Sequence, residues 1–141
     1  MVNEVQAAQD EVVEEFAFFD DWMDRYQYLI DLGRRLPALT DAELIDENKI
    51  KGCQSQVWLV ASQEDGRLSF RAISDAAIVS GLIAILLRIY SDRRPDDILS
   101  TPPDFISALN LEQHLSPTRS NGLAAMLTAI RRFATEAQQG A

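Results

Sequence analysis

The chain holds a single thiol, and this thiol is the part of the sequence with the clearest chemical potential. Cys53 directly follows Gly52, and the only lysines of the chain, Lys49 and Lys51, lie within four positions of it. Glycine permits backbone conformations closed to other residues and leaves room for a second molecule to approach the sulfur. Nearby positive charge favours the nucleophilic thiolate. These residues by themselves leave two interpretations open: a reactive thiol at a loop tip, or an inert core cysteine.

A lone thiol also limits the chemistry that the chain can perform. It cannot form an internal disulfide or a site with several thiolate ligands for a metal. A cysteine hydrolase or transferase needs a general base, and the one histidine, His114, lies far along the chain, where a solvent-facing or capping role is the better interpretation. A peroxide-reducing thiol would need a resolving cysteine from another molecule.

Charge and composition exclude further classes of function. The 22 acidic and 13 basic residues give a net charge of −9, which is unsuited to binding nucleic-acid phosphates or anionic membranes. No apolar run has the length of a membrane span, and residues 1–10 lack the pattern of a signal peptide. Together with the single cysteine, this predicts a cytoplasmic protein. We expect one domain over residues 1–141, with flexible ends at 1–10 and 136–141.

The segments before the cysteine are predicted to be helical. Over residues 10–32, apolar side chains recur at steps of three and four, which predicts one amphipathic helix that Gly33 and Pro37 end. The apolar stripe consists of Val12, Phe16, Phe19, Met23, Tyr26 and Ile30. Residues 39–48 are predicted to form a short acidic helix or turn that leads into the cysteine loop.

The segments after the cysteine are predicted to form a hairpin and then helices. Residues 57–63 and 67–73 have the pattern of two strands around the turn 64–66, which gives an antiparallel hairpin near 56–74. Ser74 is predicted to cap a buried helix that ends near Tyr90. Small helical turns are expected between Pro95 and Pro117. They are followed by a last helix that carries Leu123, Met126, Leu127, Ile130 and Phe133 on one face. The order helix, hairpin, helices predicts a single compact α+β domain.

Three segments resemble one known family. Residues 52–58 (GCQSQVW) resemble the signature of the SufE and CsdE family of sulfur acceptors. Residues 74–82 resemble the family's helix after the hairpin, and residues 113–123 resemble its later loop entering the last helix. The segments occur in the family's order, and the resemblance spans roughly residues 16–133. It implies a small antiparallel sheet packed against several helices, similar to the scaffold proteins on which iron–sulfur clusters are built.

The resemblance implies a function in sulfur transfer. In this family, a pyridoxal-phosphate-dependent cysteine desulfurase, of the SufS or CsdA kind, passes persulfide sulfur to the acceptor's cysteine, here Cys53. The acceptor stimulates the desulfurase and passes sulfur on to an iron–sulfur scaffold or another acceptor. It needs no metal or cofactor of its own and is an accessory protein rather than a stand-alone catalyst. A non-catalytic adaptor that only activates the desulfurase is the alternative.

The resemblance also implies roles for residues around Cys53. Gly52 is the hinge candidate of a loop that shelters the cysteine at rest. Gln54 and Ser55 are candidates to support that loop by hydrogen bonds, with ordinary loop polarity as the alternative interpretation. Arg119 lies in the Ser-Pro-x-Arg turn and is expected near Cys53, with a structural ion pair as the alternative. Asp75 is expected to face the partner or to favour the positive end of its helix.

Overall fold

The sheet of this protein is a single antiparallel hairpin. In the computed structural model, which describes residues 3–140, strand β1 (Val57–Glu64) pairs with strand β2 (Arg67–Ser74) in continuous register. The turn between them places Asp65 at φ 54° and Gly66 at φ 75°, the positive values that tight hairpins require. The hairpin predicted near residues 56–74 is confirmed.

Helices cover one face of this hairpin. Within residues 3–140 they are α1 (Glu4–Phe16), α2 (Trp22–Arg34), α3 (Ala77–Tyr90), α4 (Pro95–Ser100), α5 (Phe105–Ala108), α6 (Leu111–His114) and α7 (Pro117–Gln139), with a 3-10 turn at Asp46–Asn48 before the cysteine loop. Alternate hairpin residues such as Leu59 and Phe70 are buried against α3 and α7. Because α3 also packs on α1 and α2, it lies at the centre of the core. The α+β prediction is confirmed, including a single compact domain.

The first predicted helix is instead two helices. Residues 17–21 separate α1 from α2, because Asp21 begins a new helix by accepting a hydrogen bond from the Met23 backbone N–H at 2.8 Å. The apolar spacing continued across this break, so periodicity by itself did not reveal it. Met23, assigned to the buried stripe, has 74% of its surface exposed.

The ends of the chain are more ordered than the sequence suggested. Residues 4–10 belong to α1, where Val5 is fully buried and Ala8 nearly so, since their spacing continues the apolar stripe toward the core. Asn3 caps this helix by accepting from the Val5 backbone N–H. At the other end α7 continues to Gln139, into the segment 136–141 that was expected to be flexible. The remaining terminal residues, 1, 2 and 141, lie outside the described part of the chain.

Candidate functional site

The cysteine lies on a short loop whose two ends are joined by a backbone hydrogen bond. Ile50 donates a backbone hydrogen bond to the Val57 carbonyl at 2.9 Å, so the chain leaves and re-enters the sheet region at nearly the same place. Between these residues Gly52 has φ 93°, in the left-handed region that favours glycine. The positive φ of Gly52 therefore turns the main chain immediately before Cys53.

The Cys53 side chain is half-buried against α7. Its Sγ lies 3.6 Å from the Gly122 carbonyl oxygen, to which the thiol donates a hydrogen bond. Burial raises the pKa of the Cys53 thiol above its usual value of 9.0. The resting sulfur is therefore held as a neutral thiol.

A small cavity lies beside this sulfur. Its volume of about 20 Å³ is room for roughly one water molecule. Apolar side chains from α3 and α7 and polar groups from the loop and from the start of α7 line it together with Cys53: Val79, Leu82, Leu123, Met126, Gln54, Ser55, Thr118, Arg119 and Gly122. The sulfur thus faces a space of about one small atom, with an apolar floor and a polar rim.

Arg119 is placed at this cavity by the first turn of α7. The Ser116 hydroxyl caps the helix by accepting from the Arg119 backbone N–H at 3.2 Å, and Pro117 occupies the first helical position. No carboxylate within residues 3–140 forms an ion pair with the Arg119 guanidinium. Arg119 is thus an exposed cavity-lining residue whose charge is not paired within the described chain.

Asp75 supports the loop from behind. Its Oδ1 accepts a hydrogen bond from the Gln56 backbone N–H at 3.0 Å, and the side chain is exposed. The prediction that Ser74 caps α3 is wrong, because Ala76 is the residue at the cap position, and Ser74 ends β2 and accepts a hydrogen bond from the Ala76 N–H. The Asp75 carboxylate joins the end of the cysteine loop to the connection between β2 and α3.

The lysines near Cys53 in the sequence lie outside its cavity. Lys49 Nζ is 3.4 Å from an Asp46 carboxylate oxygen and 5.5 Å from the centre of the Trp58 ring. Lys51 borders a different groove, between the loop and α7. Burial, and not a lysine charge, shifts the pKa of Cys53. The inference that these lysines promote the thiolate has no support in the resting geometry.

The His114 residue contacts α2 and does not reach Cys53. Its ring stacks on Trp22, with centroids 3.9 Å apart and an interplanar angle of 18°, and its backbone carbonyl accepts a hydrogen bond from the Tyr26 hydroxyl. It is absent from the lining of the Cys53 cavity. The only histidine of the chain is thus not placed to act as the base for this thiol.

The sequence did not identify Gly122 or the apolar residues that line the cavity. Gly122 supplies the carbonyl that holds the thiol, and a Cβ built on it would lie 3.8 Å from Cys53 Sγ. The signal was present, because Gly122 and Leu123 belong to the family-like segment 113–123, and Val79 and Leu82 belong to the segment 74–82. The sequence does not show that both segments lie close to Cys53 Sγ in the folded chain.

The fold and the site define a class: a small α+β domain with one half-buried cysteine on a glycine loop. Within residues 3–140 no helix is long and apolar enough to cross a membrane. The SufE family model, described as an Fe-S metabolism associated domain, matches residues 10–134. The chain belongs to the SufE family.

Relatives and a solved structure agree with this assignment. The chain is 44% identical over 134 residues to an uncharacterized SufE-like protein of Rhizobium meliloti, covering 92% of this chain and 94% of the relative. It is 43% identical over 133 residues to an uncharacterized SufE-like protein of Rhizobium etli, covering 91% and 90%. The solution structure of a hypothetical protein from Thermus thermophilus superposes with a TM-score of 0.77 over 94% of this chain and 96% of that one. At 21% identity, this last match shows the shared fold.

Proposed function

We propose that this protein accepts persulfide sulfur on Cys53 from a pyridoxal-phosphate-dependent cysteine desulfurase and passes it on for iron–sulfur cluster assembly. The observation that carries the proposal is the placement of the only thiol. Cys53 follows a glycine with positive φ and faces a cavity with room for about one small atom. Membership in the SufE family supports the same interpretation.

The transfer is an exchange at sulfur that needs no net oxidation. The Cys53 thiolate attacks the outer sulfur of the desulfurase persulfide, a new sulfur–sulfur bond forms, and the sulfur–sulfur bond in the donor breaks. The desulfurase cysteine leaves as a thiolate, while the transferred sulfur ends as the outer atom of a persulfide on Cys53. Removing the persulfide frees the desulfurase for another turnover, so the acceptor stimulates its partner.

The resting geometry requires a movement before this attack. Cys53 donates to the Gly122 carbonyl, and burial raises the pKa of its thiol, so the resting thiol is a poor nucleophile. Rotation about Gly52 takes the sulfur out of the apolar cavity and lowers the cost of the charged form. Arg119 is exposed and lines the same cavity, and we expect its charge to favour the thiolate and the anionic persulfide once they form.

The test is the intact mass of the protein after incubation with desulfurase and L-cysteine. We expect one added sulfur atom per chain, removed by reductant and absent in Cys53→Ser. Arg119→Ala should fold normally and gain the sulfur more slowly, while Arg119→Lys should retain more of the rate. A chain that never gains sulfur would refute the proposal. Stimulation of the desulfurase by Cys53→Ser equal to that by wild type would instead identify an adaptor.

A further inference from the structure

Two large apolar side chains near the start of α2 are exposed to solvent. Phe18 is 85% exposed and Met23 is 74% exposed, the largest values among the exposed large hydrophobic residues of the described chain. They lie on either side of Asp21, the cap that separates α2 from α1. Exposed large apolar side chains this close together in the sequence mark the segment as a candidate interaction site.

Carboxylates lie next to these two side chains in the sequence. Asp20, Asp21 and Asp24 are exposed, and none of them forms an ion pair within residues 3–140. The nearest basic residue in sequence, Arg25, is engaged elsewhere: its Nε donates to the Phe19 carbonyl at 2.9 Å. We call the five residues Phe18, Asp20, Asp21, Met23 and Asp24 the 18–24 patch. Its chemistry is an apolar centre with an unneutralised acidic rim.

Direct contacts connect this patch to the cavity of Cys53. Trp22, inside the patch segment, stacks on His114, and the Tyr26 hydroxyl donates to the His114 carbonyl. His114 ends α6 immediately before the start of α7, and on that first turn Thr118 and Arg119 line the cavity. The start of α2 is therefore in contact, through His114, with the segment that leads into α7 and the Cys53 cavity.

We infer that the 18–24 patch is a docking surface for the desulfurase that donates sulfur to Cys53. This inference rests on the proposed function and names a part of its interface. The complementary surface on the desulfurase is an apolar recess bordered by lysine or arginine side chains, which the acidic rim attracts and orients. Phe18 and Met23 fill the recess and act as the anchors of the interface.

The test measures binding separately from chemistry. In a Cys53→Ser chain, which cannot accept sulfur, the affinity for the desulfurase is measured by calorimetry with and without Phe18→Ser/Met23→Ser. We expect the dissociation constant to rise about tenfold, because two anchors are lost. Asp20→Asn/Asp24→Asn should weaken binding at low salt and have less effect at high salt. The control is Ile45→Ser, at an exposed apolar residue that lies outside the patch, which should bind as the parent does.

Each alternative outcome has a distinct meaning. Equal affinity of the parent and the Phe18→Ser/Met23→Ser chain overturns the inference, as does a parent chain that fails to bind the desulfurase. A parent chain that sediments as a dimer and becomes monomeric in the double variant also overturns it, because the patch then covers a second copy. Weakened binding in the double variant, together with a wild-type Cys53 that never gains sulfur, supports the docking surface and refutes the proposed sulfur transfer.

Discussion

At the contact between α2 and α3, Gly33 and Gly81 let two helices pack backbone to backbone, whereas at the cysteine loop Gly52 allows a turn of the main chain. A Cβ on Gly81 would overlap the Leu29 carbonyl oxygen, and one on Gly33 would lie 2.7 Å from the Gly81 nitrogen. A Cβ on Gly52 would make a van der Waals contact with the Ala125 Cβ at 3.4 Å and would not overlap any atom. Packing requires glycine in the first region and backbone conformation requires it in the second.

This difference separates a contact that supports the fold from a loop that carries the candidate functional cysteine. The α2–α3 contact lies in the core, where any added atom must displace a neighbour. The loop holds Cys53 by one thiol hydrogen bond and by the Asp75 contact behind it, and both can be broken at modest cost. The same substitution, glycine to alanine, should therefore damage stability in one region and sulfur transfer in the other.

The largest expected effect is a loss of stability at the contact between α2 and α3. Gly81→Ala should lower the free energy of unfolding by about 3 kcal/mol or more, because neither helix backbone can move away without disturbing the core. Denaturant titration measures this loss. Gly140→Ala, near the end of α7 with 3.4 Å to the nearest atom, is the control and should change stability by less than about 0.5 kcal/mol. Comparable losses at both positions would show that the contact is not tight.

The next effect concerns the loop. Gly52→Ala puts a side chain at φ 93°, which costs about 1 to 2 kcal/mol and should slow sulfur acceptance by Cys53 about tenfold. Gly66→Ala is a matched control: its φ is 75° and a Cβ there would have no neighbour within 4 Å, but it lies in the hairpin turn. It should lose similar stability and transfer sulfur at the wild-type rate. Equal transfer rates in the two variants would contradict a special role for Gly52.

A smaller effect is expected from the hydrogen bond between Asp75 and the end of the cysteine loop. Asp75→Ala removes the acceptor of the Gln56 backbone N–H, which is worth about 1 kcal/mol. The loop should open about five times more often, and alkylation of Cys53 in the free protein should quicken in proportion. Asp75→Asn retains an oxygen acceptor and should alkylate nearly as slowly as wild type. If the alanine variant reacts at the wild-type rate, Asp75 does not restrain the loop.

The smallest effect is expected from the lysines. Burial raises the pKa of Cys53, so the alkylation rate of the free protein should rise with pH around a midpoint higher than that of an unburied thiol. Lys49→Ala/Lys51→Ala should leave that midpoint unchanged, since exposed charges outside the cavity are well screened. The rate is measured with iodoacetamide across the pH range in both proteins. A higher midpoint in the double variant would show that the lysine charges do act on the thiol.

Local patterns predicted some elements well and others poorly. The hairpin followed from alternating side chains and a turn sequence that allows positive φ, both of which are local properties. The break between α1 and α2 was missed because Asp21 could equally well lie inside a helix or cap one, and apolar spacing continued through it. The order of residues 4–10 depends on the burial of Val5 and Ala8, which is a tertiary fact.

The sequence by itself determined the family, the α+β class and the identity of the thiol, because these are properties of residue types in a linear order. Only the tertiary structure decided what surrounds that thiol. It placed Gly122 and Arg119 beside Cys53, and it placed Lys49 and Lys51 outside the cavity despite their closeness in sequence. The physical reason is that burial and electrostatic interaction depend on distance in space, which the packing of α3 and α7 sets.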